Sequence, residues 1–164
     1  MKTFCSTTMI VVFLLLCTNG IQAQNTQTKP DQLKLMQRSV GTFQHVISKD
    51  SLEVSECQQY GNAFVQNIYL VVNGNKSFSF GIVSVYSPKE DKFKCFWFRP
   101  NGSYSTMISS FTSENKYNSD LVQNFNPEKV LSRYEGVSGT DGYTATFYNL
   151  DGTKRGEYKW NKIE

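Results

Sequence analysis

Two side chains hold most of the chemistry this chain can offer. His45 is the sole histidine among 164 residues and lies two positions after Phe43. Strand alternation puts both on one face. If that face looks inward, the imidazole can bind a ligand or move a proton. The alternative is a hydrogen-bonded histidine at a strand rim, or one turned to water by a bulge. Arg99 ends the run Phe93-Lys94-Cys95-Phe96-Trp97-Phe98-Arg99, in which Phe93, Cys95, Trp97 and Arg99 share one parity. Facing inward, Arg99 closes an aromatic wall with a cation suited to a carboxylate. It also directly precedes Pro100-Asn101-Gly102, where an arginine can leave the sheet for water. Phe80 joins the wall if the hairpin register sets it against Trp97. The candidate ligand-binding set is therefore Phe43, His45, Phe80, Phe93, Trp97 and Arg99. The ligand expected is a small hydrophobic or carboxylate-bearing molecule.

Other chemistry has little support. No Gly-rich phosphate loop and no Gly-x-Ser-x-Gly elbow is present, so no catalytic residue is assigned. One histidine and no Cys-x-x-Cys spacing argue against a metal site, and no cofactor is expected. No Lys/Arg run exceeds Lys154-Arg155, which gives no nucleic-acid footprint. Cys57 and Cys95 each fall within an expected strand. They could pair in an oxidising compartment or stay as buried thiols.

The elements that must position these residues are strands. Asn73-Gly74, Asn101-Gly102, Asp141-Gly142 and Asp151-Gly152 cut the chain into segments rich in aromatic and β-branched residues. Such dipeptides accept the positive φ angles of type I′ hairpins. About ten strands result: 41–49, 52–59, 63–72, 76–86, 92–99, 104–112, 117–125, 130–136, 143–150 and 153–163. The nearly continuous apolar run 63–72 reads as a strand covered on both faces. An antiparallel meander this long must close into a barrel or fold into a sandwich to hide its edges. Ahead of it, Pro30-Asp31 can start one short helix, with Leu33, Met36, Gln37 and Val40 at helical spacing and Gly41 ending it. That helix is expected to plug or cover a barrel end.

The first residues read as an address. Lys2, the apolar run 9–16 and Ile21-Gln22-Ala23 form a secretory signal with cleavage before Gln24. Lipidation at Cys17 is the alternative. The apolar run is too short to span a bilayer, so no transmembrane segment is expected. The organisation is then a signal peptide over 1–23, a flexible leader over 24–30 and a single domain over 31–164. The destination is periplasmic or extracellular.

The segment Leu-Met-Gln-Arg-Ser-Val-Gly-Thr-Phe, residues 35–43, resembles the helix and Gly-x-Trp that open lipocalins and other calycins, with Phe43 in place of tryptophan. Tyr86-Ser87-Pro88, Phe96-Trp97-Phe98, Asp151-Gly152-Thr153-Lys154 and Glu157-Tyr158-Lys159-Trp160-Asn161-Lys162 are similar to later pieces of a bacterial family of exported lipocalin-like proteins. The resemblance spans about residues 33–163. It implies an all-β, lipocalin-like or fatty-acid-binding-protein-like barrel with one short N-terminal helix. It brings no ligand set. The Arg-x-Tyr pair of fatty-acid-binding proteins is missing, because Tyr158 has no arginine two residues before it. The late histidine of haem-binding barrels is missing too. The leading expectation is a non-enzymatic barrel that holds a small apolar or amphipathic molecule. Its rivals are a cavity enzyme of isomerase or cyclase type using His45 as general base, and a closed barrel serving as a protein-interaction or envelope component.

Overall fold

The computed structural model describes residues 29–163. The expected signal peptide, its expected cleavage point and Cys17 lie outside the described residues. A short helix α1 (Gln32–Met36) continues as a 3₁₀ turn over Gln37–Ser39 and leads into ten strands. These are β1 (Gly41–Ser48), β2 (Ser51–Tyr60), β3 (Ala63–Val72), β4 (Asn75–Ser87), β5 (Lys92–Phe98), β6 (Tyr104–Phe111), β7 (Lys116–Gln123), β8 (Asn126–Ser138), β9 (Gly142–Tyr148) and β10 (Lys154–Lys162). Each strand pairs antiparallel with the next, and β10 pairs with β1, so the sheet closes into an up-and-down barrel. Closure satisfies the backbone groups that an open meander would leave at its two edges.

The closing seam is short. Only Phe43↔Lys162 and Gln44↔Asn161 pair across β1 and β10. Two further bonds extend it: Ile163 N–H donates to the Thr42 carbonyl at 2.9 Å, and the His45 ring reaches the Lys159 carbonyl at 2.9 Å.

The turns obey the Gly-containing dipeptides in three different ways. Asn73 and Gly74 both have positive φ, 49° and 80°, as a two-residue type I′ hairpin requires. At the second pair only Gly102 is left-handed. Gly102 N–H donates to the Arg99 carbonyl and Arg99 N–H to the Ser103 carbonyl, each at 3.0 Å, which is a type I turn closed by a glycine bulge. Asp151-Gly152 repeats that pattern between Asn149 and Thr153. Asp141-Gly142 lies in the β8–β9 hairpin, where Gly139 N–H donates to the Gly142 carbonyl at 2.8 Å, but Asp141 is not left-handed and the pair is not a type I′ turn. Gly142 opens β9 so close to β10 that a Cβ there would lie 1.9 Å from the Trp160 carbonyl oxygen. A further tight turn has no glycine: Asn124 and Phe125 adopt φ of 50° and 58°, and the Phe125 N–H is held by Thr106 Oγ1 at 3.1 Å.

The helix plugs one end with a face close to the one its spacing suggests: Met36 is in the core and Leu33 and Val40 pack against it, while Gln32 and Leu35 take the place expected of Gln37. Gln32, Leu35 and Met36 are buried, whereas Leu33 is partly covered and Gln37 is exposed. Gln32 decides this orientation. Its amide donates to the Phe111 carbonyl at 2.9 Å and accepts from the Phe111 N–H at 2.7 Å, satisfying the last residue of β6 as a paired strand would. Leu35 and Met36 then pack on Phe64, Phe93, Met107 and Phe111.

Asp31 caps the helix by accepting from the Lys34 N–H at 3.1 Å. Among the described residues no second layer covers β3, contrary to its apolar run: Phe64 and Ile68 are buried inward while Val65, Tyr69 and Val71 are half-buried on the outer wall. Outside, neighbouring rings shield each other, as with Tyr69 and Phe78 at 6.0 Å.

Candidate functional site

Inward parity assembles one cavity of about 1110 Å³ inside the barrel. Its walls are Phe43, Ile68, Phe80, Ile82, Trp97, Phe147, Tyr158 and Trp160, with Leu35 and Met36 of the plug at one end. Space survives among so many rings because small residues face inward elsewhere: Ser84, Ser105, Ser119, Ser132, Gly136 and Ala145 also line it. The volume suits a drug- or lipid-sized molecule.

The aromatic wall is a connected belt. Phe80 lies 5.3 Å from Trp97, and Trp97 reaches Phe147 at 6.5 Å. Phe147 meets Tyr158 edge-on at 5.4 Å. Phe43 and Trp160 both touch Tyr143, at 5.6 and 6.0 Å.

Of the six residues singled out in the sequence, Phe43, Phe80, Trp97 and Arg99 line this cavity together. Phe80 reaches Trp97 diagonally, since Ile82 is the residue directly opposite Trp97 in the β4–β5 register. Phe93 does not line it. It is fully buried beneath, at 6.0 Å from Phe64 and 5.3 Å from Tyr86, in the core that seats the plug.

His45 does not line it either. Its ring lies against Tyr158 and Trp160, and its Nδ1 must donate to the Lys159 carbonyl, because a carbonyl can only accept. His45 thus ties the short seam between β1 and β10. Its cross-strand partner is Glu53, a cavity residue whose carboxyl is pushed above the usual range by burial and pulled back by the histidine.

Cys57 and Cys95 are free, buried thiols. They sit on β2 and β5, with two strands between them. At about 4.8 Å per strand that is roughly 14 Å along the wall, whereas a disulfide needs Cα atoms within about 7 Å. Cys57 Sγ lies 3.8 Å from Ser39 Oγ, and Cys95 Sγ lies 3.5 Å from Ser109 Oγ. Burial pushes both thiols up, away from the reactive thiolate.

The polar atoms of the interior are spoken for. Gln66 donates to Ser55 Oγ at 2.6 Å, Ser109 and Ser119 share a hydroxyl bond, and Cys95 lies 4.0 Å from the Tyr117 hydroxyl. Among the described residues no buried side-chain nitrogen or oxygen lacks a partner. An occupant meets aromatic and aliphatic surface, the hydroxyls of residues such as Ser105, Ser132 and Tyr134, and several charged side chains.

The charged side chains are mostly cations. Arg38, Arg99, Arg133, Arg155 and Lys162 line the cavity, against Glu53 alone among the carboxylates of the described residues. Arg155, Tyr143, Phe147, Trp160 and Glu53 are site residues that strand reading passed over. Glu53 shares parity with Ser55 and Cys57 and could have been found that way. Arg155 could not, because the β9–β10 register slips between Lys154 and Gly156 and resets the alternation.

No protein-family model and no curated protein sequence matches this chain. The ten-stranded closed barrel is consistent with a lipocalin-like fold, and the site must be argued from its own geometry.

Proposed function

We propose that this protein is a non-enzymatic carrier or receptor that holds one small amphipathic molecule inside its barrel. The aromatic-walled cavity of about 1110 Å³ is the observation that supports it. The reading includes export to a periplasmic or extracellular compartment, which rests on the signal-like leader, and kinship with exported lipocalin-like proteins, which rests on short motifs. The enzyme alternative loses ground on His45. Its Nδ1 is committed to the backbone of β10 and its ring is covered by Tyr158 and Trp160, so it does not face an occupant.

The test uses a neutral apolar probe, 1-pyrenebutanol, and tryptophan emission. About twenty non-hydrogen atoms at roughly −0.3 kcal/mol each give about −6 kcal/mol, a dissociation constant of tens of micromolar. Both tryptophans line the cavity, so binding should quench both. Trp97→Phe should remove part of the signal and Trp160→Phe the rest, each with the barrel's circular dichroism intact. Probe binding that leaves both tryptophans unquenched would place the ligand on the outer surface and end the lumen reading.

A further inference from the structure

We infer that the occupant carries an anionic head group, held at the barrel mouth between Arg99 and Arg155, with its apolar body lying against the belt of Phe80, Trp97 and Phe147. This rests on the lumen reading and names the ligand class for it.

Three observations carry the inference. The first is position. Strands alternate direction around the barrel, so the end of β5 and the start of β10 lie at the same rim, the one opposite the α1 plug. Arg99 directly follows β5 and Arg155 is the second residue of β10. In a ring of ten strands, β5 and β10 are five steps apart in either direction. The two arginines therefore face each other across the mouth.

The second is how their backbones are set. Arg99 is fixed by the turn bonds to Gly102 and Ser103, both 3.0 Å. Arg155 occupies the register slip between Lys154 and Gly156, which brings it to the cavity wall on the same strand as Tyr158 and Trp160.

The third is charge. Of the other cavity cations, Arg133 pairs with Asp120 at 3.6 Å, Arg38 donates to the Glu114 carbonyl at 2.7 Å, and Lys162 lies over the Phe43 ring at 5.8 Å. No ion pair ties Arg99 or Arg155 to a carboxylate among the described residues. Even Glu157, two residues from Arg155, is taken by Lys154 at 2.7 Å. Glu53, the one wall carboxylate among the described residues, stands opposite His45 in the β1–β2 pair. Two partnerless guanidiniums at the rim of an apolar chamber attract and orient an anion whose tail enters the chamber.

Matched probes test this: 1-pyrenebutanoate against 1-pyrenebutanol, read by tryptophan-to-pyrene energy transfer in the wild type, Arg99→Gln, Arg155→Gln and the double variant. The acid should bind the wild type roughly tenfold tighter than the alcohol. Each single variant should weaken the acid severalfold and leave the alcohol unchanged, and the double variant should bind both alike. Equal wild-type affinity for acid and alcohol overturns the head-group inference while leaving the lumen reading standing. An acid preference that survives in the double variant overturns it as well, by placing the anion elsewhere. If neither probe binds, the lumen reading falls and takes this inference with it.

Discussion

Tyr117, Tyr134 and Tyr143 hold their protons well past the ordinary phenol range, chiefly because burial deprives each phenolate of water; nearby groups that become negative add to this. In the unfolded chain these phenols ionise near pH 10. Above that pH the unfolded state therefore binds fewer protons than the native one, and stability falls as pH climbs. The contribution is complete below about pH 10 and is lost on the alkaline side only. Of nine tyrosines, these three should contribute no phenolate absorbance until the barrel unfolds. An alkaline titration should show their share appearing as a cooperative step that coincides with loss of circular dichroism. Smooth ionisation of all nine in the folded protein would mean that water reaches the lumen floor freely. The same burial favours the protonated form of the Cys57 and Cys95 thiols.

At the scale of strands and turns, the outer wall carries a sharp constraint at Gly81. A Cβ there would meet the Phe98 ring at 2.3 Å, because the ring lies over the glycine on the outside of β4 and β5. The aromatic ring covers backbone that glycine leaves bare, and Phe78 and Phe96 flank it at 6.1 and 6.4 Å. Gly81→Ala should cost about 1–3 kcal/mol by overpacking. Adding Phe98→Leu should recover most of that loss, a coupling that thermal unfolding of the four-member cycle measures. Additive losses would show that the ring does not rest on the glycine.

This is also the scale at which the sequence was most legible. Period-two alternation and turn dipeptides define ten segments that match the ten strands closely, because each strand must hide one face and most of the hairpins use left-handed residues. The losses have physical causes. Alternation cannot anticipate a bulge, so Arg155 stayed hidden behind the slip at Lys154–Gly156. The helix face holds Leu33, Met36 and Val40 as their spacing suggests, but Gln32, bonded to Phe111, is buried where Gln37 was expected. Asn124-Phe125 turns without glycine, a backbone choice that no local propensity favours for phenylalanine.

For the whole molecule, the central matter is that the barrel is hollow. Fourteen per cent aromatic residues could have filled a ten-stranded interior, and nothing in their count says otherwise. What leaves room is the placement of small inward residues on β6 to β9, among them Ser105, Ser119, Ser132, Gly136 and Ala145, facing the aromatic belt. Such a gap is formed only when strands far apart in the chain are brought round to face one another, which is why sequence describes the wall better than the space it encloses. The plug at one end and the two arginines at the other give that space a direction.

Stoichiometry tests the account most directly. Native mass spectrometry of the folded barrel, mixed with a modest excess of 1-pyrenebutanoate, should show a single adduct that saturates at one molecule per chain. A statistical ladder of several adducts, or bare protein at probe concentrations well above the tens of micromolar at which even the neutral alcohol should bind, would contradict a hollow, ligand-holding barrel.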